Sequence, residues 1–405
     1  MENTPPTRAA ALDRLADFAP RAGRAYAEGR NHDLPEHPHV SRLSPYLRHR
    51  AITEAEVAQA VLDRFAPSTA EKFLQEVLWR TYFKGWLERR PSVWTGYRQG
   101  LSHARNRLAT EGGLRSAWED ACAGRTGIAP FDHWAQELVA TGYLHNHARM
   151  WFASIWMHTL RLPWELGADF FLRHLLDGDP ASNTCSWRWV GGLHTRGKVY
   201  RARASNIAKY SDGRWDASAL GHRLAREDQV TPLDGPDNPA PRQSPEDAVW
   251  DEALRTGLLL TEDDLHPDFL FARGLAPVAA AILTAAEGRS SLKVAPEVIA
   301  FTEGLAADAA ERLRDRCPCD APTANVDAIV AWARDADLRQ IVVPHTPVGP
   351  ARTKLDALAD RLDIPVIRPL RAWDGAVWPH ATAGFFKVKA QMGTTLGTIA
   401  QDMGG

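Results

Sequence analysis

The stretch Asp327–Leu370, "DAIVAWARDADLRQIVVPHTPVGPARTKLDALADRLDIPVIRPL", limits the fold more than any other part of the chain. It alternates amphipathic helical segments with short apolar runs. Parallel strands need a crossover between them, and this alternation is the pattern such crossovers leave. "GLLLTEDDL", residues 257–265, reads as a further strand and turn. "LAPVAAAILTAA", Leu275–Ala286, and "VIAFTEGLAADAAERLRDR", residues 298–316, read as helices. The segment after the "QIVV" run, "HTPVGP", has one glycine and no Lys-Ser/Thr, so no phosphate-loop fingerprint accompanies the strands.

The first half follows a different pattern. From Ser41 to about Leu193 the apolar spacing is helical throughout, with no strand alternation. "ITEAEVAQAVLDRF" opens on Thr53 with Glu56 three residues later, a capping box. "STAEKFLQEVLWRTYFKGWLERR" carries a stripe at Phe73, Val77 and Leu78. "IAPFDHWAQELVATG" ends on Gly142, a C-cap glycine. "HNHARMWFASIWMHTL" and "PWELGADFFLRHLLDG" are two more helices. The Pro-, Asp- and Gly-rich "LDGPDNPAPRQSPED" reads as a linker. The expected architecture is mainly α: a helical domain over 1–232, a linker over 233–247 and a smaller α/β parallel-sheet domain over 248–405.

A net charge of −2 leaves both nucleic-acid and neutral partners open. The N-terminus has no basic segment followed by an apolar core, and the longest apolar run is too short for a bilayer. Four scattered cysteines suit a reducing compartment, so a cytoplasmic, soluble protein is expected, with no metal site. His32, His37 and His39 lie among prolines and read as a solvated loop rather than a metal site. The anomaly is tryptophan, 15 against 13 Phe and 7 Tyr. It fits an aromatic helical core, or rings that stack on a ligand or carry electrons.

Several clusters carry polar chemistry. Ser41 and Ser44 flank Arg42 before a helix and suit either capping or an anion. Glu76, Trp79, Arg80 and Phe83 share a helix face away from the Phe73 stripe. They suit stacking on a base and pairing its edge, or an intrahelical Glu76–Arg80 pair beside a half-buried Trp. Asn146 with Met150, and His145 with Arg149, stand one turn apart. "HLLDGDPASNTCSWRW" brings Asp177, Gly178, Asp179, Asn183, Trp187 and Trp189 close together. "LHTRGKVYRARASNIAKYSDGRW" is basic with interleaved aromatics, a nucleic-acid surface or a solvated loop.

In order and spacing, "SRLSPYL", "EVLWR", "GRTGI", "GYLHNHARM", "LPWE", "LLDGDPASN" and "WRW" together resemble the FAD-binding domain of the photolyase/cryptochrome family, over about Tyr26–Trp215. The resemblance implies FAD as cofactor. Tyr26, Val40, Ser41, Arg42, Leu43 and Ser44 would meet its phosphates, with Val40 where the family has Thr. Arg80 is implied as a further cofactor contact. Arg149 would pair with Asp177 beside the flavin ring, with Gly178 and Asp179 next to it and Asn183 at N5. Glu76, Trp79, Asn146, Met150, Asn183 and Trp189 would be catalytic or line a lesion pocket. Arg30, His147, Arg201 and Arg203 would touch DNA. Trp187 and Trp164 match the inner and middle members of an electron-carrying tryptophan chain, with Trp118 or Trp151 as the outer one. The tail "RTKLDALADRLDIPVIRPLRAWDG…FFKVKAQM" is similar to the end of the family's α/β domain, which there precedes the helices. A circularly permuted or reduced member is therefore expected. Its implied function is light-driven splitting of pyrimidine dimers in damaged DNA, single- or double-stranded; the alternative is a cryptochrome-like photoreceptor.

Overall fold

A computed structural model describes residues 4–403. The chain groups into two compact units: Ala25–Val40 with Arg90–Ala240, and residues 4–24, 41–89 and 241–403. The segment 41–89, read from the sequence with the helical half, thus packs in the unit that holds the sheet.

The first unit is helical: Pro91–Thr110, Gly112–Ala123, Ala129–Thr141, Asn146–Ser154, Trp164–His174 and Pro180–Val190. Proline opens or nearly opens the helices at 91, 129 and 180, where its missing N–H costs nothing. Gly124 and Gly142 close two helices in the left-handed region, at φ +62° and +69°. The helix from Asn146 runs on as a π turn over Ile155–Thr159. The core is aromatic, with Phe131, Trp134, Trp151, Phe152, Trp156 and Phe170 all buried. One glycine is essential to it. A Cβ at Gly167 would lie 2.3 Å from the Trp187 ring and 2.9 Å from that of Trp156. Ala is worth about 1 kcal/mol over Gly within a helix, but forcing a methyl into a packed core costs about 1–3 kcal/mol. Both facing rings are buried and have little room to move, so packing wins. Gly167→Ala is expected to lower the denaturation midpoint, and an unchanged or raised midpoint would refute this.

The second unit holds a parallel sheet. Its strands are β1 (Thr256–Thr261), β2 (Ala279–Leu283), β3 (Gln340–Val342) and β4 (Val366–Ile367), in the order β2-β1-β3-β4. Leu258 pairs with Ala280 on one side and Val342 on the other. The helices Val326–Asp335 and Pro350–Ala359 supply the crossovers, packing Ile329, Trp332, Leu355 and Leu358 on Leu259, Leu283, Ile341 and Val343. The apolar run at 275–286 is a correction: it forms β2, not a helix. A strand buried on both faces reads as a continuous apolar run, and its alanines imitated a helix. The strand order reverses between β1 and β3, the point where open α/β sheets usually take ligands. Here the chain itself fills the end of β1. Arg48 pairs with Asp263, the His49 Nδ1–H donates to the Glu262 carbonyl at 2.6 Å, and Thr261 meets Thr346 at 3.2 Å.

The helix Glu54–Leu62 carries the expected box: Glu56 N–H donates to Thr53 Oγ1, and Thr53 N–H to Glu56. No helix among the described residues is long and apolar enough to cross a membrane.

Candidate functional site

In the first unit, the helix Trp164–His174 stops at Leu175, whose extended backbone starts a turn through Gly178. Asp177 lies there with its side chain only 2% exposed. Both terminal nitrogens of Arg149 donate to it, at 3.0 and 2.9 Å. Arg149 Nε donates to the Leu144 carbonyl, which fixes the guanidinium plane. This bidentate fork is the strong geometry for an arginine–carboxylate pair. Asp179 caps the next helix by accepting the Ser182 N–H at 2.7 Å.

One turn into that helix, Asn183 donates its Nδ2–H to the Ala168 carbonyl at 2.9 Å. Its Oδ1 accepts no hydrogen bond among the described residues, although the side chain is 8% exposed. A carboxamide pinned by its nitrogen offers an acceptor, the group that meets a ring N–H. Cys185, two residues on, is wholly buried and unpaired, and burial pushes its thiol up. It is packing, not chemistry.

Trp187 is buried edge-on against Trp156, centroids 6.2 Å apart and planes 86° apart, with Phe171 at 5.1 Å. Trp164 lies instead on Tyr97 at 5.6 Å. Trp118 buries an indole N–H without an acceptor. Trp151 stacks between Trp134 and His147 and donates to Asn206 at 3.0 Å. The tryptophan that touches Trp187 is therefore Trp156, which sequence reasoning passed over. Its one signal was a further Trp in an apolar helix already supplied with Trp151.

Asn146 opens its helix exposed, with Met150 half-buried one turn on. His147 donates from Nδ1 to the Asn31 carbonyl at 2.9 Å and lies flat on Trp151, so both its nitrogen and its face are engaged. The loop around His37 is not a solvated one. Asp33 is buried, bound by Trp134 Nε1 and Arg214 at 2.9 Å each, and its carboxyl is raised by that burial. His37 is buried beside it and meets Glu137 at 3.0 Å. These bonds hold the segment between Arg30, which rests over the Tyr26 ring, and Val40. Arg203 is exposed, and Arg201 pairs with Glu227 at 3.1 Å. Trp189 lies half-buried beside Tyr200 at 5.7 Å.

In the second unit, Ser41 Oγ accepts the Leu43 N–H at 3.4 Å, and Arg42 sits at φ +53°. The short helix Ser44–Arg48 follows. Arg80 reaches the Ser44 carbonyl at 3.5 Å through Nη2, while Nη1 is buried with no acceptor. It does not pair with Glu76, so the ion-pair reading of that helix face is not the one adopted. A buried guanidinium nitrogen lacking an acceptor, beside a serine-rich turn, fits an anion such as a phosphate. Glu76, Trp79 and Phe83 line the helix Glu71–Glu88, each partly exposed.

In the first unit, a pinned carboxamide with a free acceptor oxygen and a bidentate Arg–Asp pair suit a heteroaromatic ring; in the second, the buried Arg80 nitrogen without an acceptor suits an anionic group. Residues 73–218 match the family model described as the FAD binding domain of DNA photolyase. The chain is 31% identical over 197 residues to a deoxyribodipyrimidine photo-lyase of Alkalihalophilus pseudofirmus, covering 47% of this chain and 39% of that protein. It is 34% identical over 194 residues to one from Thermus thermophilus, covering 46% of this chain and 43% of the relative. A class III photolyase structure from Agrobacterium tumefaciens overlaps at TM-score 0.43 and 27% identity, covering 51% of this chain and 43% of that one. Residues 73–218 thus resemble the FAD-binding domain of the photolyases, and FAD is the cofactor that such a domain binds. It spans about two fifths of the length of the curated relatives it matches.

Proposed function

We propose that the protein is a light-driven DNA-repair enzyme that splits cyclobutane pyrimidine dimers. The observation that carries this reading is the Glu76–Trp79 face: a carboxylate and a partly exposed indole one turn apart on the helix Glu71–Glu88. Trp79 stacks on a flipped-out pyrimidine, and Glu76 accepts from a base N–H. In the first unit, Asn146, Met150 and Trp189 are of the polar and apolar kinds that a base pocket uses. Ser41, Arg42, Ser44 and Arg80 meet the cofactor's phosphates. Asp177, held by Arg149, and Asp179 meet its ring or sugar, and Asn183 presents Oδ1 to a ring N–H. FAD, when bound, supplies light absorption and the electron that repair needs. Trp187 and Trp156, in edge contact, would relay an electron to FAD when it is bound, with Trp164 and Trp118 as further members.

Exposed Arg203, with Arg30 and Arg201, meets DNA phosphates, so binding weakens as salt rises. Single-stranded DNA is the preferred form, because an unpaired base costs less to extrude. Purified protein reduced under blue light is expected to clear dimers from a dimer-containing oligonucleotide, read by chromatography. Unchanged dimer content would overturn the reading. One observation favours a photoreceptor instead: His147 is held through Nδ1 by Asn31 and through its ring by Trp151, which leaves only Nε2 for a DNA surface. A light-dependent change of partner or oligomer, without repair, is what that reading expects.

A further inference from the structure

The indole of Trp79 does not stand alone. The ring of Phe385 lies parallel to it, centroids 3.9 Å apart and planes 10° apart. These residues are far apart in sequence, and the contact is fixed from several sides. The Tyr82 hydroxyl donates to the Ala383 carbonyl at 2.7 Å. Lys389 pairs with Glu71 at 3.0 Å. Phe385 is 5% exposed, and Tyr82 meets it edge-on at 5.8 Å. The next residue, Phe386, is 81% exposed. The segment Ala383–Lys389 thus lays one aromatic ring flat on the helix Glu71–Glu88 and leaves its neighbour outside.

We propose that Phe385 is a positioning residue that sets the plane of Trp79 for base stacking. This rests on the reading of Trp79 as a stacking platform. An indole on a helix can turn about two side-chain torsions, and a base gains from stacking only when the ring is already in place. A flat, buried phenyl on one face, with Phe83 tilted against the indole at 5.3 Å and Tyr82 edge-on at 5.5 Å, removes that freedom. Parallel overlap suits this task, since it fixes the ring's orientation as well as its position.

The test uses the full chain and a thymine-dimer oligonucleotide in the dark, with affinity read by anisotropy. Stacking on an aromatic is worth about 1–3 kcal/mol per base, so Trp79→Ala is expected to weaken binding at least fivefold. If Trp79→Ala binds as tightly as wild type, the stacking reading itself fails. With that loss established, Phe385→Leu is expected to weaken binding several-fold, Phe385→Tyr to restore it, and Phe386→Ala to leave it unchanged. In the Trp79→Ala background, Phe385→Leu is expected to have no further effect, because its influence passes through the missing indole. Wild-type affinity in Phe385→Leu, or an equal loss in both backgrounds, overturns the proposal. Should Phe385→Leu fail to fold, Phe385→Met carries the same comparison.

Discussion

Replacing Arg50 by methionine is expected to destabilise the second unit by about 3–5 kcal/mol, the cost of stripping one partner from a buried charge network. Arg50 is 1% exposed and touches three carboxylates: Asp374 at 2.7 Å, Glu54 at 3.1 Å and Asp264 at 3.2 Å. Asp264 also takes two bonds from Arg371, at 2.6 and 2.8 Å, and Arg371 reaches Asp402 at 3.3 Å. The network joins residues 50–54 to the end of β1 and to the last turns of the chain. Methionine retains the volume but leaves Glu54 and Asp374 buried without their cation. Denaturant unfolding checks the size of the loss; a change under 1 kcal/mol would place this cluster with ordinary surface pairs.

The same network sets the acid limit. Burial pushes the Asp264 carboxyl up, but Arg371 and Arg50 outweigh it and hold it at about 2, below its ordinary 3.8. Burial likewise pushes Glu56 up, while Arg8 and His266 hold it at about 2 against 4.5. A depressed carboxyl contributes stability above its unfolded value and loses it as pH falls toward the folded one. The stability from these two acids is therefore complete above about pH 4.5 and fades toward pH 2. In Arg50→Met the contribution of Asp264 is smaller and its fade ends at higher pH, because Asp264 has lost one of the cations that depress it.

Local structure was legible in the sequence wherever chemistry is local. Thr53 with Glu56, and Gly142 after an amphipathic run, determine helix ends within four residues, and the structure keeps both. The Ala-rich strand at 279–283 was not legible, because burial on both faces erases the period that separates strand from helix. Nor was the arginine network. Arg48, Arg50, Arg289 and Arg371 look like surface charges in composition, and carboxylates from other segments, Asp263 for Arg48, Asp374 for Arg50, Glu262 for Arg289 and Asp264 for Arg371, make them interior. The site shows the same split. Asp177, Asp179 and Asn183 lie within seven residues and announced themselves. Trp156 was one aromatic among many, and Phe385 lies far from Trp79 in a tail whose fold the local pattern does not determine.

Arg149→Met is expected to yield a colourless protein, with flavin per chain reduced more than tenfold, whereas Asp177→Asn retains a measurable fraction. The difference follows from which charge is left behind. Asp177 is 2% exposed at its side chain, while Arg149 is 23% exposed. Removing the arginine takes from the buried carboxylate its bidentate partner, and breaking a buried pair in this way costs about 3–5 kcal/mol. Removing the carboxylate leaves a guanidinium that still reaches water and keeps its bond from Nε to the Leu144 carbonyl at 2.9 Å. Asparagine also accepts one of the two lost bonds, so the turn Leu175–Gly178 keeps a tether. That turn leads directly into Asp179 and the cap on the helix carrying Asn183, so loosening it shifts the acceptor as well as the pair. Flavin absorbance relative to protein absorbance after gel filtration measures both variants, with added FAD showing whether the loss is of affinity or of fold. Equal loss in the two variants would mean that the charge pair matters only as a pair, and that burial of Asp177 carries none of the asymmetry.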